Sequence, residues 1–135
     1  MLKRIKQGDE VYIVASSSFI DNESQHNAGL EILKNWGLKI KQDDIISRRY
    51  SSYAGNDEIR FKEIQEAQNS KLVFFAKGGW GSARVLEKNP LWNDGWMVGF
   101  SDPCSLLLSK YCYQQINQVR LILKCILELL RQMKT

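Results

Sequence analysis

Histidine is nearly absent: of 135 residues, only His26 carries an imidazole. A reaction needing a general base near neutral pH therefore has a single conventional candidate. His26 stands beside Asn27 near the start of an expected helix, with no acid placed to orient it, so a surface or capping role is expected for it. Cysteine is scarce as well. Cys104, Cys112 and Cys125 all fall in the last third and form no CxxC pair. A structural zinc site wants four ligands, commonly in paired short spacings, so no metal is expected here. An odd number of thiols fits a reducing compartment. No apolar run reaches the length of a membrane span; the nearest, residues 121–130, is interrupted by Lys124 and Glu128. Residues 1–7 are too charged to read as a secretory signal. The net charge of +4 is mild, and the basic residues are scattered rather than striped or interleaved with aromatics. That composition argues against nucleic-acid binding.

What remains is an ordinary globular composition, 44% hydrophobic and 25% charged, in a length that suits one domain. Val11-Tyr12-Ile13-Val14-Ala15 reads as a strand covered on both faces, followed by Ser16, Ser17 and Ser18. Ser24 is a candidate N-cap for a helix whose apolar line is Ala28, Ile32, Leu33 and Trp36, stopped at Gly37. Leu38 and Ile40 alternate with lysines as a more exposed strand, and residues 42–55 read as a long loop. Asn56 caps a second helix with Asp57 and Glu58 in its first turn and Phe61, Ile64 and Ala67 as its apolar line. Residues 72–76 are a buried strand, 78–81 a glycine turn, and 82–88 a short helix closed by Asn89-Pro90. Residues 96–99 make another strand, and a helix begins near Pro103. Strands alternating with helices predict an α/β fold with a mostly parallel sheet between helices. From Tyr113 on, Val119, Ile122, Leu123, Ile126, Leu130 and Met133 form a helical stripe. Such a helix is either buried or docks on a partner.

Two segments carry chemistry. Gly99-Phe100-Ser101-Asp102 places a serine on a sharp strand-to-helix turn, as a nucleophile elbow does. There the hydroxyl is exposed and the next backbone N–H faces a developing oxyanion. A serine capping the helix at Pro103 explains the same residues equally well. Lys77-Gly78-Gly79-Trp80-Gly81 puts three glycines between a buried strand and a helix, where N–H groups converge at a helix start. The alternative is a tight connecting turn. A phosphate loop does not fit, because the lysine precedes the glycines and no GK[ST] ending exists.

Taken together and in order, these segments resemble the LD-carboxypeptidase family. That family comprises the murein tetrapeptide carboxypeptidases and the self-immunity peptidases that cleave microcin C-type antibiotics. The resemblance runs from Gly8-Asp9 and Val14-Ala15-Ser16-Ser17 through Leu33 and Trp36-Gly37-Leu38-Lys39-Ile40. Ala54-Gly55-Asn56-Asp57-Glu58-Ile59-Arg60 is similar to the family's AGTDEER. Residues 76–84 are similar to its ARGGYGAAR, and Val98-Gly99-Phe100-Ser101-Asp102 to its GYSD motif. The resemblance covers about residues 5–110.

It implies a glutamine amidotransferase-like, flavodoxin-like N-terminal domain over residues 1–110, followed by a divergent helical tail over 111–135. It implies Ser101 as nucleophile and the backbone N–H groups of Asp102 and Gly79 as oxyanion donors. Gly78, Trp80, Gly81 and Ser17 would lie against the substrate, with no metal or cofactor. The implied substrate is a murein peptide ending in a D-amino acid, hydrolysed in the cytoplasm during peptidoglycan recycling, with no nucleic acid and no membrane involved. The family's glutamate and histidine lie in a second, C-terminal domain, which this sequence is expected to lack. The chain is thus expected to be inactive alone, needing a separate chain that carries that domain, or a second copy of itself. The competing expectations are a non-catalytic remnant that binds muropeptides and an interaction module docking through its apolar C-terminal helix.

Overall fold

The computed structural model describes residues 3–116. Four strands and four helices alternate: β1 (Glu10–Val14), α1 (Glu23–Asn35), β2 (Lys39–Lys41), α2 (Asp57–Ala67), β3 (Leu72–Phe75), α3 (Ser82–Leu86) and β4 (Trp96–Val98). The last helix, α4, occupies residues 104–116 of the described chain. All strand pairs are parallel and the sheet order is β2-β1-β3-β4. The predicted α/β class and parallel sheet are what the chain forms. The crossovers leave β1 between β2 and β3, so the strand order reverses between β1 and β3. In open α/β sheets, the crevice at the carboxyl ends of the strands beside that reversal is where function concentrates.

Strand parity sends side chains to two separate cores. Val11, Ile13, Ala15 and Leu72 pack with Leu33, Leu38 and Ile45 on the α1 face. Tyr12, Val14, Val73 and Phe75 pack with Ile64, Ala67, Val85, Trp92 and Leu106 on the face of α2, α3 and α4. Fully burying a side chain of the Val, Ile or Phe kind stabilises by about 1.5–3 kcal/mol, so these near-continuous apolar strands anchor everything around them. The two faces are not equally covered. Of the expected α1 line only Leu33 is buried; Ile32 and Trp36 are 52% and 63% exposed. They border a groove of about 280 Å³ with Ile13, Leu30 and Phe74.

Helix starts follow the capping chemistry with one correction. Asn56 caps α2 as expected, its side chain accepting from the Ile59 N–H at 2.9 Å. The cap of α1 is Asn22, not Ser24: its Oδ1 accepts from the Gln25 N–H at 2.9 Å. Ser24 instead sits inside the first turn. The apolar line of α2 also needs correction. Phe61 is only partly buried, whereas Arg60 and Glu63 share the buried stripe with Ile64 and Ala67. α4 passes residue 110 without a break. The stripe expected over residues 118–133, and Cys125, lie outside the described residues. Among those residues no helix is long and apolar enough to cross a membrane. Cys104 and Cys112 are exposed and unpaired.

Candidate active site

The carboxyl ends of β1, β3 and β4 each run directly into one candidate segment: Ser16 to Ser18, the glycine loop, and Phe100 to Asp102. Parallel register brings all three to one end of the sheet. The first two are joined directly, with the Ser18 N–H donating to the Gly78 carbonyl at 3.3 Å and the Trp80 N–H to Ser18 Oγ at 3.1 Å.

Ser101 has φ 59°, in the left-handed region that a non-glycine residue enters at a cost of roughly 1–2 kcal/mol. It is exposed. This conformation separates the two readings of the local pattern. A helix-capping serine sits in the extended region with its oxygen accepting an N–H of the first turn. Here the Cys104 N–H bonds the Ser101 main-chain carbonyl at 2.9 Å, and no described residue takes up the hydroxyl. The side chain is left facing the glycine loop. A Cβ added at Gly78 would lie 2.8 Å from Ser101 Cβ and 3.1 Å from its Oγ. Gly78 is therefore glycine because Ser101 occupies the space. Gly99 answers to the same kind of pressure, since a Cβ there would meet the Phe75 ring at 2.8 Å and Pro103 at 3.2 Å.

Asp102 is tied into the site through its carboxylate. Oδ2 accepts from Ser17 Oγ at 2.7 Å and from the Ser82 N–H at 2.8 Å. It thereby caps α3, whose own N-cap is Gly81 and has no side chain to offer. An acid at a helix start is also favoured by the helix dipole. The N–H groups of Asp102 and Gly79 meet no acceptor among the described residues. Gly79 has φ 108°, and a Cβ there would collide with Ser18.

The remaining predicted residues divide by burial. Trp80 is 74% exposed at the mouth of the loop, and Gly78 is buried beneath it. Gly81, at φ 121°, is pressed against Arg60 and Tyr53. Ser17 is fully buried. Its hydroxyl is engaged by Asp102 and, at 2.9 Å, by Ser82, and Ser16 Oγ reaches Ser82 Oγ at 2.9 Å. Ser17 therefore sits behind the exposed surface, and Ser18 is the serine of that run that reaches the glycine loop.

Two residues that the sequence reading gave no role in the site are built into this end of the sheet. Glu63, nearly fully buried, accepts from the Ala15 N–H at 2.9 Å and from Arg48 at 2.9 Å, fixing the chain just before Ser16. Burial pushes its carboxyl above the usual range, only partly countered by Arg48. Arg60 is wholly buried and bonds carbonyls from three segments. The signal was present: residues 60, 63, 64 and 67 recur at helical spacing on one face, and two of the four are charged.

His26 stands away from this network. Its Nε2 is 3.3 Å from Gln42 Oε1, and it lines a shallow pocket of about 220 Å³ with Lys77 and Phe100. Asp21 in that pocket pairs with Lys77, and no described carboxylate bonds the imidazole. No described group of three His, Cys, Asp or Glu residues could hold a metal ion.

Four parallel strands flanked by helices, with an exposed left-handed serine at their carboxyl end, define the class as an open α/β domain. The chain belongs to the LD-carboxypeptidase family, whose N-terminal domain matches residues 11–120. A protein of Synechocystis sp. named as a carboxypeptidase is 27% identical over 111 residues, which are 78% of this chain and 37% of that protein. The microcin C7 self-immunity protein MccF, in complex with aspartyl sulfamoyl adenosine, superposes with a TM-score of 0.70 at 20% identity. The superposition covers 79% of this chain and 35% of that one. The muramoyltetrapeptide carboxypeptidase of Oxalobacter formigenes superposes with a TM-score of 0.58 at 24% identity, over 70% and 33% respectively. The chain thus spans little more than a third of the length of these relatives.

Proposed function

We propose that this chain is the nucleophile-bearing part of a serine-type LD-carboxypeptidase. It would hydrolyse the bond to a terminal D-amino acid in a murein tetrapeptide during cytoplasmic peptidoglycan recycling. One observation carries the reading: Ser101 is held at φ 59°, exposed, with its hydroxyl unused by the helix that follows and against the glycine loop. A strained, presented serine is the geometry of a nucleophile and the opposite of a cap.

In this reading Ser101 Oγ attacks the amide carbonyl carbon and gives its proton to a base. The carbonyl oxygen becomes an oxyanion held by the N–H groups of Asp102 and Gly79. Collapse breaks the C–N bond, the leaving amine takes the proton, and water then hydrolyses the acyl-serine ester. Trp80, Gly78 and Gly81 lie against the peptide, and Ser17 acts from behind by holding Asp102. His26 faces Gln42 and does not serve as the base. The base and its orienting acid come from outside residues 3–116, on a separate chain or a partnering domain, in keeping with relatives of which this chain covers about a third. Family membership supports the reaction class.

The test is release of D-alanine from murein tetrapeptide by the purified chain, with Ser101→Ala as control, alone and mixed with the C-terminal domain of a relative. Release that needs both the added domain and Ser101 is the expected result. Release by the chain alone, abolished in Ser101→Ala, would mean that the base lies within it. Saturable binding without release in either setting would replace hydrolysis with a muropeptide-binding role, the reading that a missing base favours.

A further inference from the structure

Arg60 is the largest fully buried side chain in the domain. Taking a guanidinium out of water costs several kcal/mol, and a simple packing position on α2 would be filled at no such cost by leucine or methionine. Its hydrogen bonds account for its presence. Nε donates to the Gly55 carbonyl at 3.1 Å. Nη1 donates to the Ser16 carbonyl at 2.6 Å and to the Gly81 carbonyl at 2.7 Å. Nη2 pairs with Asp57. The Tyr53 ring covers the guanidinium, 4.9 Å from centroid to Cζ. Three main-chain segments that are far apart in sequence thus converge on one planar group, a geometry a fork of donors can satisfy and a point charge cannot.

The Gly81–Ser82 peptide is the telling unit. Its carbonyl accepts from Arg60 at 2.7 Å, and its N–H donates to the Asp102 carboxylate at 2.8 Å. Both ends of one peptide plane are therefore held, one by Arg60 and the other by the residue that follows Ser101. The Ser16–Ser17 unit repeats the arrangement: its carbonyl accepts from Arg60 at 2.6 Å, while Ser17 Oγ donates to Asp102 at 2.7 Å. Arg60 and Asp102 thus face each other through two segments, which the Ser82 hydroxyl also ties together by its bonds to Ser16 and Ser17. The fit leaves no slack, because a Cβ at Gly81 would stand 2.7 Å from Arg60 Nη1.

We infer that Arg60 is the positioning residue of this site. By fixing the Ser16 and Gly81 carbonyls it sets the orientation of Asp102 and the glycine loop, and through them the Asp102 and Gly79 N–H groups proposed as oxyanion donors. It touches no reacting atom. The inference rests on the reading of Ser101, Asp102 and Gly79 as the reacting site, but its test does not depend on turnover.

The experiment is residue-resolved amide hydrogen exchange on the full chain, comparing wild type with Arg60→Ala, after circular dichroism has shown the variant folded. The Ser82 amide should exchange at least about tenfold faster in the variant, while amides of β1 and β2 keep their rates. Added guanidinium should restore slow exchange at Ser82 by reoccupying the space, and sodium chloride at equal ionic strength should not. Where Arg60→Ala fails to fold, Arg60→Lys is read in the same way. An unchanged Ser82 rate would overturn the inference, as would an equal rise across the whole sheet, which would make Arg60 a general stabiliser. Absence of D-alanine release from wild type and its mixtures would sink the hydrolase reading alone and leave this result standing.

Discussion

Four of the serines at one end of this sheet stand in opposite circumstances. Ser16, Ser17 and Ser82 are fully buried, and their hydroxyls satisfy one another and Asp102 at 2.7–2.9 Å. Ser101 is exposed, sits at φ 59°, and has a hydroxyl that no described neighbour takes up. Residue type is the same; backbone conformation and burial separate framework from candidate chemistry. The buried group forms a closed polar network, which stabilises only because every member is satisfied. Ser101 holds local strain of the sort that persists where the surroundings over-determine it, and those surroundings include Gly78 and the Cys104 N–H that holds its carbonyl.

The largest expected effect lies at Ser101. In whichever assembly releases D-alanine, Ser101→Ala should lower kcat on the order of a millionfold, the scale set by loss of a triad nucleophile. Its thermal midpoint should barely move. Ser101→Gly, by contrast, should raise stability by about 1 kcal/mol, since glycine enters the left-handed region freely. A destabilised Ser101→Gly would mean that the φ of 59° is no strain. Next comes Gly78→Ala, whose new Cβ would press on Ser101 at 2.8 Å. A displacement of that kind should cost about a hundredfold in kcat with the fold retained by circular dichroism; unchanged kcat would place the reacting hydroxyl elsewhere.

Among the buried serines the readout reverses. Ser82→Ala leaves Ser16 only the 3.4 Å contact to Ser17 Oγ and should lower unfolding free energy by about 1–3 kcal/mol in urea. The smallest effect concerns Glu63. Burial raises its carboxyl above the ordinary 4.5, so between that value and the raised one the folded state binds more protons than the unfolded state. Its contribution to stability is fully present below 4.5 and is lost as pH rises through the raised value. Wild type should therefore lose stability relative to Glu63→Gln as pH is taken upward from 4.5. A difference that stays flat would show that Arg48 already cancels the effect of burial.

Much of this was readable from residue order. The strands at residues 11–14 and 72–75 are apolar enough to declare themselves, and β2 and β4 follow from their position between helices. The serine turn and glycine loop stand out because the carboxyl ends of buried parallel strands are where α/β folds place function. Other features could not be read. Asn22 and Ser24 are both good caps, and only the helix start chooses between them. The α1 stripe predicted four inward residues, yet one is buried, because periodicity marks a face without saying how much of it will be covered. Arg60 and Glu63 were passed over because charged residues are expected in water, and only their partners make burial tolerable. Ser17 was expected against the substrate, and its bond to Asp102 could not be read because that acceptor is 85 positions away.

Local order therefore settled the elements, the parallel sheet and the family, since apolar periodicity, turn residues and short motifs act over a few positions. Which serine is presented and which are buried was settled by long-range packing. Ser101 and a capping serine have the same neighbours in sequence. They differ in φ and in hydroxyl partners, and the space around Ser101 is bounded by Gly78 and, across Gly99, by Phe75, which only folding brings within reach.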